Sequence, residues 1–386
     1  MEAAGPAIRI VGRHEGTADP ASIRPILWER ERMPRVADIE IVGGNELSDG
    51  IELRGTMMAT IAGVLIRRCR YGVRLLGRNR NLLISHAHIY DSQPRGIGVY
   101  FDGVNHHQAI ISGSHISYCR HAGIKVERSE VRNLQITGCD IEYNHDVDRP
   151  GSADIWIDAR VGTVREVTIA SNTIQAKESP EGSNIRIEGA DSPTSHKSGL
   201  VAITGNVIQS QAVNVRLTSC RGVTLTGNTF ATGFERSIVL DRCRNVVIDA
   251  NFLDHNPDYE GRRVDGIVIR RSAGITVSGM VVEAVRAGDD TKGAAVEATD
   301  SAELLFSGLQ ILDPAVRGFE LENVEHCRIV GSTIIDRRPE KTMLEAVRAR
   351  GKGGVNVLEG CTIGRGRRAA IDAEPGVLRV GSVAEA

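Results

Sequence analysis

Apolar and polar residues alternate in short bursts along most of the chain. Ile97-x-Val99-x-Phe101, Ile124-x-Val126, Ile155-x-Ile157, Ile185-x-Ile187, Val215-x-Leu217, Ile238-x-Leu240 and Ile267-x-Ile269 all keep a period of two. That period, built from β-branched residues, predicts strands and not helices. A second pattern precedes these bursts. It reads Ile136-Thr-Gly-Cys-Asp-Ile141, Ile169-Ala-Ser-Asn-Thr-Ile174, Ile203-Thr-Gly-Asn-Val-Ile208, Leu225-Thr-Gly-Asn-Thr-Phe230 and Ile248-Asp-Ala-Asn-Phe-Leu253. Degenerate copies extend it upstream to Ile84 and downstream past Ile334, recurring every 22 to 34 residues. That step is too long for the ~18-residue coils of a hexapeptide helix and too short for a propeller blade of roughly 40–45 residues.

What remains is an all-β fold, a single-stranded right-handed parallel β-helix, or solenoid, of about 13 coils. Equivalent positions in successive coils then stack at ~4.8 Å. Asn172, Asn206, Asn228 and Asn251 stack as a ladder in which each asparagine sits at a tight turn, adopts a left-handed backbone and bonds its neighbours. The β-helix domain is expected over 36–386, with residues 1–35 as an N-terminal cap that shields the open core.

Composition agrees with this picture. Aromatic residues are only 4% and glycines number 42 of 386, which suits aliphatic stacks joined by tight turns. A net charge of −2 argues against a nucleic-acid partner held by charge alone. No apolar run approaches the ~18 residues of a membrane span, so no membrane partner is expected. The N-terminal residues lack a basic region followed by an apolar stretch, so no secretory signal is expected there. Seven scattered cysteines without a C-x-x-C suggest buried fillers and not a zinc site.

Candidate chemistry lies where the insertions cluster, between the repeat strand and the period-two strand. The outward residues of the period-two strands form two rows. One reads Tyr100, Lys125, Trp156, Arg186, Arg216, and the next reads Asp102, Glu127, Asp158, Glu188. Four stacked carboxylates repel unless compensated. Three compensations are open: pairing with neighbouring Lys and Arg, a bound Ca2+, or one carboxyl group kept protonated as a general acid. Asp154, Asp158 and Glu188, with Glu127 in reserve, are the candidate catalytic carboxylates. His145, in the loop 143–153, is a candidate acid/base group. Trp156 is the candidate sugar platform. Lys125, Arg186 and Arg216 are candidates for holding hydroxyls or a uronate, and Tyr100, Tyr143 and Tyr259 for walling a groove. No metal ligand is assigned and no cofactor is required beyond a possible Ca2+. His14-Glu15 begins an H-E-x-x-H pattern that Ala18 leaves incomplete.

The repeat pattern over 36–376 resembles the pectate-lyase-like superfamily of right-handed β-helix proteins. Asp154-Ile-Trp-Ile-Asp158 resembles the Trp-Ile-Asp core of a pectate-lyase signature, with Ala159 where that family has His. The resemblance implies a carbohydrate-active enzyme whose partner is a poly- or oligosaccharide, working outside the cytoplasm, extracellular or periplasmic, as monomer or homo-oligomer. Three activities fit. The first is a glycoside hydrolase or transglycosylase using the carboxylates. The second is a polysaccharide lyase using Lys125, Arg186, Arg216 and His145. The third is a noncatalytic glycan-binding solenoid. An acidic ladder taken alone favours neutral sugars, because like charges repel an acidic polymer.

Overall fold

The computed structural model describes residues 2–15, 19–192, 195–254, 258 and 261–386. The chain is a parallel β-solenoid of about 12 turns, against about 13 expected, with almost no helix. It divides into two compact units, Met1–Ala202 and Ile203–Ala386.

A turn of the first unit has three strands. Asn105–Ser112 forms a back strand, His115–Ser117 a short ledge and Ala122–Glu127 a front strand. The next two turns follow with Glu130–Thr137, Asp140–Glu142 and Ala153–Asp158, then Val164–Ala170, Thr173–Gln175 and Ser183–Glu188. Every pairing between them is parallel and in the register that the alternation predicts. Ile124 meets Ile155, which meets Ile185; Val126 meets Ile157, which meets Ile187. These inward residues are buried, as are Val99 and Phe101 one turn earlier. Burial of such aliphatic side chains, at ~25 cal/mol per Å² of apolar surface, is the main force closing each turn.

The N-terminal strand Gly5–Val11 pairs in parallel with Ser48–Arg54. Behind it Ile23 and Leu27 pack on Met57.

In the second unit, Val207–Thr218 and Thr229–Asp241 run from ledge to front strand without a loop. Inward stacks continue through Ile238, Ile267, Val296, Phe319 and Val347. Here the asparagines form a ladder. The Asn206 backbone and side-chain amides both donate to Asn228 Oδ1, at 3.0 and 2.9 Å, and Asn228 does the same to Asn251 Oδ1 at 2.9 Å. In the first unit Cys139 N donates to Asn172 Oδ1 at 2.9 Å.

One expectation needs correction. The left-handed residue is not the asparagine but the one before it: Ser171, Gly205, Gly227 and Ala250, with φ between 51 and 65°. The turn reverses at that residue, where glycine is cheapest, and so frees the asparagine to point inward and cap the next rung. All seven cysteines are buried and none forms a disulfide.

Candidate functional site

The two outward rows of the front strands stack as expected within the first unit. Tyr100, Lys125, Trp156 and Arg186 are register partners in sequence, and so are Asp102, Glu127, Asp158 and Glu188. Compensation of the carboxylate row comes from side chains. Asp102 accepts from Arg74 at 2.5 Å and from Arg128 at 2.6 Å. Glu127 accepts from Tyr100 OH at 2.5 Å, Arg128 at 2.8 Å and Lys125 at 3.0 Å. Asp158 takes both arms of Arg160, the shorter at 2.5 Å. Glu188 accepts from Arg186 at 2.9 Å and from Trp156 Nε1 at 2.8 Å.

These partners set the acidity. Burial pushes Asp102, Glu127 and Asp158 up. The bonds from Arg74 and Arg128, from Tyr100, Lys125 and Arg128, and from Arg160 outweigh it and hold all three below the usual carboxylate range. Asp154 is the opposite case. It is fully buried, and burial raises it well above the usual range even though Asn184 and Asn144 bond it. Its Oδ1 accepts from the Asn144 backbone and side chain at 3.2 and 3.0 Å, and its Oδ2 from Asn184 at 2.9 Å. Asp154 is therefore sealed between Asn144 and Asn184, while Ala153 is the residue that packs with Trp156 on the outer face.

Trp156 is buried as well. Lys125 Nζ lies 4.1 Å from the centre of its indole and the Arg186 guanidinium 4.4 Å from it, so cations cover the ring where a sugar was expected to stack. Lys125 Nζ also donates to His121 Nε2 at 3.0 Å. His121 is lowered to about 4, by burial first and then by Lys125, with Arg95 and Arg186 adding to the effect. It is a neutral imidazole in the middle of the site, and no earlier motif pointed to it. Its only sequence signal is its place in the short insertion 118–122.

The aromatic surface that does face solvent lies in the loops. Tyr118 and Tyr143 stack with centroids 5.2 Å apart and planes 10° apart, both at left-handed turns. Lys177 lies 5.8 Å over Tyr143. Tyr118 is half exposed and was also missed; it shares a turn position with Tyr143. His145 sits 6.4 Å from the Tyr143 ring and is lowered mainly by burial; among the described residues no hydrogen bond joins it to the carboxylate row. Arg216 belongs to the second unit, where its register partner is Val239. Tyr259 lies outside the described residues.

Metal chemistry finds little footing in the carboxylate row. Its oxygens are already bonded to arginines, lysine, Tyr100 or Trp156, a donor set unsuited to Ca2+. Among the described residues, His115, Asp140 and Glu142 on the ledge bring three ligand atoms within 4.8 Å of one another. There Glu142 already bonds His115 at 3.1 Å and Gln175 at 2.5 Å. The second unit holds a polar pocket of about 450 Å³ beside Glu297 and Glu320, which pair with Arg236 at 2.7 Å and Arg348 at 3.2 Å.

Solved structures similar to this chain share little sequence with it. The alginate lyase AlyF-OU02, solved with G6, is 8% identical with a TM-score of 0.53; the match covers 97% of this chain and 88% of that one. The tailspike protein of E. coli bacteriophage HK620, solved with a pentasaccharide, is 8% identical with a TM-score of 0.59, over 98% of this chain and 74% of that one. At this identity the likeness is one of fold. No curated protein matches. The family model described as "Right handed beta helix region" matches residues 37–174 and 195–376. With most of its length so matched and its strands parallel throughout, the chain belongs to the right-handed β-helix family and has a pectate-lyase-like fold.

Proposed function

We propose that the protein acts on a poly- or oligosaccharide laid across the front strands of the first unit, that this saccharide is acidic, and that the reaction is β-elimination at a uronate. The observation that carries this reading is an inversion of charge with depth. The Arg128 and Arg160 side chains are 53% and 58% exposed, while Asp102 and Asp158, to which they bond, are 10% and 8% exposed. An approaching chain meets arginine before carboxylate. The preference for neutral sugars, drawn from the acidic row alone, is therefore replaced by its opposite.

Elimination needs cations on the uronate carboxylate and an acceptor for the C5 proton. Arg128 and Arg160 supply the first. His121, neutral at pH 7, supplies the second through Nε2, once the uronate draws the Lys125 ammonium away from that nitrogen. A uronate beside it offsets Lys125, Arg95 and Arg186 and moves its pKa back upward. As the C5–H bond breaks, its electrons form the C4–C5 double bond, the C4–O bond breaks, and the departing oxygen takes a proton from solvent. Asp158, Glu127 and Glu188 then serve to position arginines and lysine.

Hydrolysis requires a carboxyl group that keeps its proton near neutral pH. Asp102, Glu127 and Asp158 are held too low for that, Asp154 is sealed, and both Glu188 oxygens are taken by Arg186 and Trp156. A second reading, saccharide binding without turnover, draws support from the complete pairing of the carboxylate row. The saccharides in the similar alginate lyase and tailspike structures support a saccharide ligand in either case. Residues 1–35 fit the role of an N-terminal cap, with Ile23 and Leu27 covering Met57.

The test is an incubation with uronate polymers and with neutral glycans. Ultraviolet absorbance of an unsaturated uronate is expected with the former. Reducing ends from neutral glycans without that absorbance would establish hydrolysis instead, and binding without either product would leave the noncatalytic reading.

A further inference from the structure

A basic cluster lies behind the N-terminal segment of the first unit, on the back strands. Gly12 N donates to Arg54 O at 2.8 Å and His14 N to Gly55 O at 2.9 Å, so the chain continues along the rung and carries His14 inside to 1% exposure. Arg78 opens the back strand Arg78–Ser85. Its register partner in the next turn is Asn105, and those of Asn79 and Arg80 are His106 and His107.

The charges that act on His14 and Arg78 are of one sign. Arg78 and Arg80 act on His14, and Arg80 acts on Arg78. In the register Arg78 stands one turn before Asn105 and diagonal to His107, and His14, bonded to Gly55, lies beside the turn that precedes Arg78. The carboxylate that enters is Glu166, and it acts on His107.

The hydrogen bonding is incomplete. Arg78 Nη1 donates to Asn105 Oδ1. Its Nε and Nη2, both ring nitrogens of His14, and Nδ1 of His107 are buried and without a partner. His107 Nε2 accepts from Asn133 Nδ2 at 3.2 Å, so its Nδ1 carries the proton and is a donor. His106 is different: its Nε2 donates to Gln108 O at 3.1 Å, which leaves a lone pair at Nδ1 and takes it out of the donor set. Buried polar groups in folded proteins are normally satisfied, and the exceptions call for a ligand or ordered water. Water completes hydrogen bonds but leaves the charge of Arg78 without a counter-ion. The two free N–H groups of Arg78 form a planar fork that matches two oxygens of a phosphate or sulfate.

We propose that Arg78, His14 and His107 form a binding site for a tetrahedral oxyanion, inorganic phosphate or sulfate. The Arg78 fork holds two oxygens, and the His14 and His107 N–H groups hold the others. The near-complete burial of His14 selects the free ion over an ester of a larger molecule. The site lies on the back strands, separate from the saccharide-facing front strands, and does not depend on the activity proposed above.

Thermal unfolding of the full chain in phosphate, sulfate, glycerol phosphate and chloride at equal ionic strength tests this. A saturable rise in Tm is expected with phosphate or sulfate, little with glycerol phosphate and none with chloride. Arg78→Gln is expected to weaken the apparent affinity at least roughly tenfold, as loss of charge-assisted bonds does. His14→Gln should weaken it too, and Arg165→Gln, an exposed residue of the same sheet, should leave it unchanged. Equilibrium dialysis of the wild-type chain with labelled phosphate, expected to give one ion per chain, keeps the test valid if a variant does not fold. A rise equal to that in chloride, no bound ion on dialysis, or an unchanged response in Arg78→Gln would overturn the proposal. A response to glycerol phosphate equal to that to phosphate would overturn the selection of the free ion.

Discussion

Ile157→Asp is expected to abolish the cooperative unfolding transition. Ile157 lies inward on Ala153–Asp158 at 1% exposure, with Val126 before it and Ile187 after it in the stack. Its neighbours in the stack are hydrocarbon, and they offer a carboxylate neither a cation nor a hydrogen-bond donor. An unpaired charge there costs several kcal/mol, on top of the lost aliphatic packing. Native stabilities are about 5–15 kcal/mol in total, so one such substitution removes most of it. Circular dichroism melting and limited proteolysis read the outcome. A soluble variant with an unchanged Tm would mean that the strand faces the other way.

The second large effect is on function. Arg128→Gln with Arg160→Gln is expected to lower kcat/KM on an acidic saccharide by roughly a hundredfold or more. Each arginine offers charge-assisted hydrogen bonds that contribute about 1.5–3 kcal/mol, or roughly ten- to hundredfold each. The loss should appear chiefly in KM and shrink at high salt, because exposed charges are screened. The fold should survive, since Asp102 keeps Arg74, Glu127 keeps Lys125 and Tyr100, and Asp158 keeps the backbone N–H of residue 160 and the nearby Lys125 charge. Binding of an acidic saccharide unaffected by the double substitution would place the ligand elsewhere.

Much of the fold was legible because a parallel solenoid writes its register into the chain. The alternation around Ile155 and Ile157 told which residues face inward, and the repeat spacing told which residues stack. The columns Tyr100–Lys125–Trp156–Arg186 and Asp102–Glu127–Asp158–Glu188 therefore emerged with the observed pairing. Side-chain direction was not legible. Lys125 and Arg186 stand in the same column as Trp156, but only their torsions decide that they cover its ring. Arg128 and Arg160 come from the turns after the front strands, where period two has ended, so the rows did not include them. Asp154 was expected on the Trp156 face, but Ala153 packs with Trp156 and Asp154 is enclosed. Its burial depends on the path of the 143–153 loop, which brings Asn144 over it, and on Asn184 one rung away. The left-handed residue was misplaced by one position because asparagine is itself a common left-handed residue. The approach of His14 to Arg78 joins segments that no local pattern connects.

The central claim is that an acidic saccharide lies on the front strands of the first unit with its carboxylates on the arginine rim. A crystal structure of the protein with a uronate oligosaccharide tests it most directly. The account predicts a sugar carboxylate within hydrogen-bond distance of Arg128 or Arg160 and a sugar C5 facing His121. A saccharide bound on the back strands, in the second-unit pocket beside Glu297 and Glu320, or with its carboxylates turned away from both arginines would contradict it.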